Sequence, residues 1–291
     1  MLDAPTPTLR ARAAPPLPVE ALLVGKRVEE AAELLPRLFN LCRAAQVAAA
    51  RLVFGMAPVD ERVELARELR RDHVLRLAVT LPARLGKAPL QLRIDDTAVA
   101  ALLGDAGFPA MPDDFDAFLG SDTGMAPLLR DIALLFGPGE AVAPVLGMPC
   151  PGQALPHAPL ENTVAVRHLA HPVMRHVEMR WGRGPLWRVV ARALDMDACA
   201  RGALPAPWRS GCGTAVVPAA RGAYGVSARV ENGIVMAFSR VTPTDHLLFR
   251  GGVMDHSLAT LPAIKQGLAP LLVDILDPCS PVRIEKGPDH A

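Results

Sequence analysis

The sequence predicts an α+β fold dominated by helices, with a small antiparallel sheet in the C-terminal third. Three observations carry this reading. Apolar residues recur at three- and four-residue steps from residue 19 to about 84, the period of helices with one buried face. Glycine and proline then cut residues 86–160 into short helices and loops. Finally, β-branched runs within residues 214–241 flank Glu231-Asn232-Gly233, and Asn-Gly between two such runs is a hairpin signal because both residues tolerate positive φ.

Taken in order, residues 1–17 are proline-rich with little periodicity and read as a flexible or extended arm. Residues 18–291 read as one domain, with a possible loose break near 137–160. Val28, Ala31, Ala32, Leu35, Leu38, Leu41 and Cys42 trace a first helical face, and the alanine-rich run 44–53 continues it as a buried helix. Asp60 is placed to cap the next helix, whose buried positions include Leu65, Leu69, Val74 and Leu77. Short helices are expected over 113–119 and 125–136, an irregular stretch over 137–159, and a further helix over 185–200. A last helix is expected over about 257–276, stopping at Pro278.

Composition excludes several functions. With 31 Lys+Arg against 30 Asp+Glu and only 4% aromatics, the chain lacks the basic excess and stacking residues of a nucleic-acid binder. No 18-residue apolar run is free of charge or proline, so no membrane span is expected, and the N-terminus shows no targeting segment. Five irregularly spaced cysteines do not form a disulfide scaffold, and the expected compartment is the cytoplasm. There is no GxGxxG before a helix, no GxxxxGK(S/T), HExxH, GxSxG or CxxC. His168, His171 and His176 read as structural or surface residues. Asp113, Asp114 and Asp116 read as a solvated helix start. Cys150, Cys199 and Cys212 read as packing residues or spectators.

Cys42 and Cys279 stand in more specific surroundings. The first lies in Arg37-Leu-Phe-Asn-Leu-Cys42-Arg-Ala-Ala-Gln46, the second in Asp277-Pro278-Cys279-Ser-Pro-Val282. On these residues the chain resembles the large subunit of nickel–iron hydrogenases, whose motifs read R-(I/V)-C-G-(V/I)-C-x-x-x-H and D-P-C-x-x-C-x-x-H. Phe39 stands at the first cysteine, Cys42 at the second and Gln46 at the histidine. In the tail, Asp277, Pro278 and Cys279 match, while Val282 and Glu285 replace the second cysteine and the histidine. Ala220-Arg221-Gly222-Ala223-Tyr224-Gly225 resembles the segment whose arginine lies over the iron's diatomic ligands in that family. Glu231-Asn232-Gly233-Ile234 and Val241-Thr242-Pro243-Thr244 match two further blocks in the same order.

The resemblance implies a truncated large-subunit-like fold, and the departures from it imply a changed function. Nickel in that family needs four thiolates, and only two of the four cysteines remain, so no nickel and no H₂ activation are expected. The pattern is similar to a paralogous group, the hydrogenase expression/formation proteins of the HupK/HoxV type. The resemblance implies a non-enzymatic assembly role with Cys42 and Cys279 as metal ligands. Arg221 and Asp277 would position a transiently held iron carrying cyanide and carbonyl ligands. Phe39 and Val282 would fill the nickel side and keep water out. Expected partners are a small carrier chaperone and the hydrogenase large-subunit precursor, with no nucleic acid and no membrane. The alternative is a metal-free protein that mimics the large subunit and binds its partners.

Overall fold

A computed structural model describes residues 9–39, 41–57, 59–95, 97–211 and 213–286. Its helices are α1 (Val19–Leu23), α2 (Val28–Leu34), α3 (Arg43–Val53), α4 (Arg62–Leu75), α5 (Leu81–Arg84), α6 (Thr97–Leu103) and α7 (Pro112–Gly120). They continue as α8 (Ala126–Leu135), α9 (Pro172–Trp181), α10 (Pro185–Ala200), α11 (Pro243–Leu247), α12 (Val253–Ala259) and α13 (Ala269–Leu276). The strands are β1 (Leu9–Ala13), β2 (Trp208–Arg209), β3 (Thr214–Ala219), β4 (Gly222–Glu231), β5 (Ile234–Val241) and β6 (Val282–Lys286). The helix-dominated α+β reading holds. Among the described residues no helix is long and apolar enough to cross a membrane.

β2 to β5 form an antiparallel sheet in chain order. The β4–β5 hairpin turns where the sequence places it: Glu231 pairs with Ile234, and Asn232 and Gly233 both take positive φ, as a two-residue turn with the strands' twist demands. α1, α2 and α3 cover this sheet through a core that includes Leu23, Ala31, Ala49, Val217, Val235 and Phe238. A second, larger core gathers the C-terminal end of α4 with α6 to α10, α12 and α13 around Trp187. α10 is buried along nearly its whole length, with Pro185 at its first turn, where the missing N–H costs nothing. A small third cluster, Leu69, Cys199 and Ala220 with half-buried Cys42 against it, lies at the seam between the two cores.

Two expectations are corrected, and one helical turn adds a detail that the sequence did not show. Residues 9–13, read as part of a flexible arm, form β1, antiparallel to β6 from Leu9↔Lys286 to Ala13↔Val282; Leu9, Ala11 and Ile284 pack on the larger core. The last helix is two helices, α12 and α13, separated by a 3₁₀ segment over Ala263–Leu268. Pro262 ends the helical path, because its ring excludes the hydrogen bond and space a continuing helix needs. The stretch between α4 and α5, Arg76–Thr80, is a π-helical turn that widens the helix beside the C-terminal segment.

Candidate metal centre

The seam gathers residues from five separate elements. Cys42 is the N-cap of α3 and takes a left-handed conformation, φ 55°. Asp277 caps the C-terminus of α13, also left-handed, φ 53°. These are two of four non-glycine residues with positive φ among the described residues, and each costs about 1–3 kcal/mol that the surrounding structure must hold. Arg221 sits in the β3–β4 turn. Asp72 comes from α4 and Arg192 from α10.

The turn that presents Arg221 is clamped. Arg167 donates from Nη2 to the carbonyls of Ala219 (2.7 Å) and Gly222 (2.6 Å). Asn162 accepts from the Ala223 N–H and donates to its carbonyl, both at 2.8 Å. Gly222, φ 143°, lies against Asn162, so that an added Cβ would fall 2.3 Å from the Asn162 carbonyl oxygen; only glycine fits after Arg221.

Arg221 is buried, and each guanidinium nitrogen has a direction. Nε donates to the Asp277 carbonyl at 3.0 Å and Nη2 to Asp277 Oδ1 at 3.2 Å, while Nη2 stands 3.5 Å from Asp72 Oδ1. Nη1 points at Cys42 Sγ, 3.6 Å away. The Asp277 carboxylate, fully buried, also accepts from Arg192 Nη2 at 3.0 Å and from Arg76. Arg192 Nη1 stands 3.5 Å from Asp72. Three guanidinium groups therefore face the Asp277 and Asp72 carboxylates, with the Glu68 carboxylate close by on the Ala44 and Ala45 N–H groups, and Arg221 Nη1 is the donor turned toward the sulfur. A buried guanidinium donor not taken up by a carboxylate favours an acceptor or anion at that position.

Burial pushes the Cys42 thiol up to about 12, against the pull of Arg221 and with Asp72, Glu68 and Cys279 adding to the rise. Burial draws Arg221 down, but Asp277, Asp72 and the two cysteines outweigh it and raise it above the ordinary guanidinium value. Cys279 follows Asp277 by two residues and is exposed. Its backbone N–H donates to Thr244 Oγ1 at 2.8 Å, which ties the Asp277–Cys279 segment to α11.

Of the four residues singled out in the sequence, Cys42, Arg221 and Asp277 meet in direct contacts, and Cys279, two residues beyond Asp277, opens on a neighbouring cleft. Phe39 packs on the sheet core with the Arg240 guanidinium 4.6 Å over its ring. Val282 does not seal the site: it pairs with Ala13 and lines an open cleft of about 560 Å³ into which Cys279 is exposed. Arg37 points away, paired with Glu33 at the surface. Sequence reasoning missed Asp72, Arg76 and Arg192, ordinary charges on helices. For Arg192 the signal available was that Arg188, Arg192 and Asp195 share one face of an otherwise apolar helix.

The remaining cysteines and histidines have other roles. Cys199 is buried, Cys150 is exposed and so not a packing residue, and Cys212 lies outside the described residues. His176 pairs with Asp116 at 3.1 Å, and the His171 ring caps α9 by accepting from the Val173 N–H. His73, Asp195 and Cys199 bring ligand-type atoms within 4.8 Å of one another in the core. The ligand atoms of two of them are already engaged: Asp195 accepts from His73 Nε2 (2.8 Å), Arg167 Nη1 (2.7 Å) and His168 Nε2 (2.9 Å), and His73 Nδ1 accepts from Arg192. Burial alone would raise Asp195, but these partners hold it well below the usual carboxylate range. This is a strut between α4, α10 and the Arg221 turn.

Comparisons with known proteins agree with this architecture. No family model matches the chain. It is similar in structure to an NAD+-reducing NiFe-hydrogenase in the H2-reduced state, with a TM-score of 0.58 and 14% identity over 91% of this chain and 90% of that one. It is similar also to the Ni-Fe-Se hydrogenase from D. vulgaris Hildenborough in the as-isolated oxidised state, TM-score 0.58 and 14% identity, covering 93% of this chain and 95% of that one. At that identity the likeness establishes the fold, that of the nickel–iron hydrogenase large subunit. In sequence it is 48% identical over 274 residues to the hydrogenase expression/formation protein HupK of Rhodobacter capsulatus, covering 93% of this chain and 90% of that protein. The chain therefore belongs to the HupK family of hydrogenase expression/formation proteins.

Proposed function

We propose that this protein assists the maturation of a nickel–iron hydrogenase by holding an iron that carries cyanide and carbonyl ligands, as cargo, between Cys42 and Cys279. The observation that carries the reading is the Arg221 guanidinium. Its Nε and Nη2 are fixed by Asp277, while Nη1 is aimed at the Cys42 sulfur. The donor set fits the cargo. Two thiolates suit a soft, low-spin iron, and a buried guanidinium N–H suits the nitrogen end of a cyanide. Two thiolates fall short of the four that nickel takes in the large subunit, so the reading is of iron without nickel and of a scaffold rather than an H₂-activating enzyme.

Cys42 must lose its proton when iron binds, and the three arginines at the seam stabilise the resulting charge. The partners under this reading are the large-subunit precursor and the small chaperone that carries the fragment, in the cytoplasm. Infrared spectroscopy of protein purified without oxygen, after co-production with the maturation machinery, is the test. Cyanide and carbonyl stretching bands are expected in the wild type and not in the Cys42→Ala, Cys279→Ala double variant. A wild-type spectrum without these bands, with hydrogenase formation intact in the double variant, would establish the metal-free mimic instead.

A further inference from the structure

The two sulfurs of the site are not equivalent. Cys42 is half-buried at the seam, under Arg221, and its backbone leads into a helix whose first N–H groups are held by Glu68, at 2.7 Å from Ala44 N and 3.3 Å from Ala45 N. Cys279 is exposed. It lies between Pro278 and Pro281 and lines the cleft of about 560 Å³ together with Arg76, Arg84, Asp274 and Val282. Cys42 and Arg221 are not among the residues lining that cleft. Its volume falls within the range of pockets that take a small ligand, and far exceeds the roughly 30 Å³ share of one water.

We infer that Cys279 is the exchange ligand, first to take the iron fragment and last to release it, and that Cys42 is the inner anchor. This rests on the iron-holding reading above. The approach follows from access: a protein delivering or receiving the fragment reaches the site through the cleft, where Cys279 is the sulfur it meets. In the first step a donor atom of the delivering protein and Cys279 exchange on iron(II). The iron–sulfur bond to Cys279 forms, the bond to the donor breaks, the thiol proton passes to the departing donor, and the iron keeps its oxidation state. Cys42 then displaces a second donor in the same way, which draws the fragment under Arg221. Release runs in reverse order.

Single-cysteine variants separate the two roles by infrared spectroscopy of anaerobic protein co-produced with the maturation machinery. Cys42→Ala is expected to keep cyanide and carbonyl bands at shifted positions, with the fragment lost on gel filtration, whereas Cys279→Ala shows no bands. Equal occupancy in the two variants, both empty or both loaded, would overturn the division of roles, as would bands in Cys279→Ala alone. A wild type without bands would overturn the iron-holding reading itself. A second measurement is independent of metal. In the folded, metal-free wild type, iodoacetamide is expected to label Cys279 at least about tenfold faster than Cys42, because exposure governs thiol access. Equal labelling rates would remove the geometric basis of the inference.

Discussion

Two buried aspartates, Asp195 and Asp277, are built alike and differ in one respect. Each has a fully buried carboxylate, each accepts from three side chains, and Arg192, one turn from Asp195 on α10, bridges their two networks. Around Asp195 the donated bonds run to groups within the protein. Arg167 ends on Asp195 and two carbonyls, and His73 lies between Asp195 and Arg192. Around Asp277 one donor is held back: Arg221 Nη1 faces a sulfur. A buried charge cluster is by itself weak evidence of function. What separates the two here is the Arg221 donor aimed at a sulfur rather than at a carboxylate or carbonyl.

Stability measurements sharpen this contrast. Asp195→Ala leaves Arg167 without its counter-charge in the core, and a loss of about 3–5 kcal/mol in the free energy of chemical unfolding is expected. Asp277→Ala should cost less, about 2–3 kcal/mol, because Asp72 still faces Arg192 and Arg221 and because Arg76 is partly exposed and regains water. The reverse order would break the distinction between a strut and a ligand-facing network. Arg221→Lys keeps the charge and loses the fork, with an expected cost of about 1–2 kcal/mol in the same unfolding measurement and, under the proposed iron-holding role, a shift of the cyanide bands in the infrared spectrum.

The strut also sets a pH dependence. Burial holds His73 below the ordinary imidazole value of 6.5, against the pull of Asp195. The unfolded chain then takes up this proton at a higher pH than the folded one. The stability associated with His73 is complete above 6.5 and declines as pH falls below it. His171 and His246 shift in the same direction, so His73→Gln should flatten the decline of unfolding free energy below pH 6.5 without abolishing it. Asp195, held low, adds a second loss below the ordinary 3.8 of an aspartate. The smallest effect is expected from Thr244→Val, which removes the acceptor for the Cys279 N–H. The cost should be about 1 kcal/mol, with faster iodoacetamide labelling of Cys279 as the loosened segment opens.

Much of the fold was legible in the sequence because its signals are local. The Asn232-Gly233 hairpin, the helix starting at Pro185 and the proline-led α7 and α8 follow from turn chemistry and helix starts that lie within a few residues. β1 was not legible, since its pairing with β6 joins segments far apart in the chain, and the alternation over Leu9–Ala13 is only five residues long with alanine at two of its three apolar positions. The break between α12 and α13 does carry a local signal, Pro262, but the apolar spacing that continues on either side masks it. At the site, Cys42, Arg221, Asp277 and Cys279 were legible as remnants of motifs. Asp72, Arg76 and Arg192 were not, because nothing local marks an arginine or aspartate as buried; their role arises only when α4, α10 and the C-terminal segment meet. The openness of the cleft at Val282 was equally invisible, since an apolar residue reads as filler wherever the tertiary structure puts it.

The pairing of β1 with β6 bears on the order in which the molecule is made. A ribosome releases β1 first and β6 among the last described residues, and Asp277 and Cys279 come just before β6. Arg221 therefore emerges before the carboxylate that fixes it, and β1 waits through nearly the whole of synthesis for its partner. Long-separated contacts of this kind form late, because the intervening chain must already be ordered before they are favourable. The Asp277–Cys279 segment and the β1–β6 pair are therefore expected to be among the last parts of the fold to be completed, and with them the carboxylate that holds Arg221.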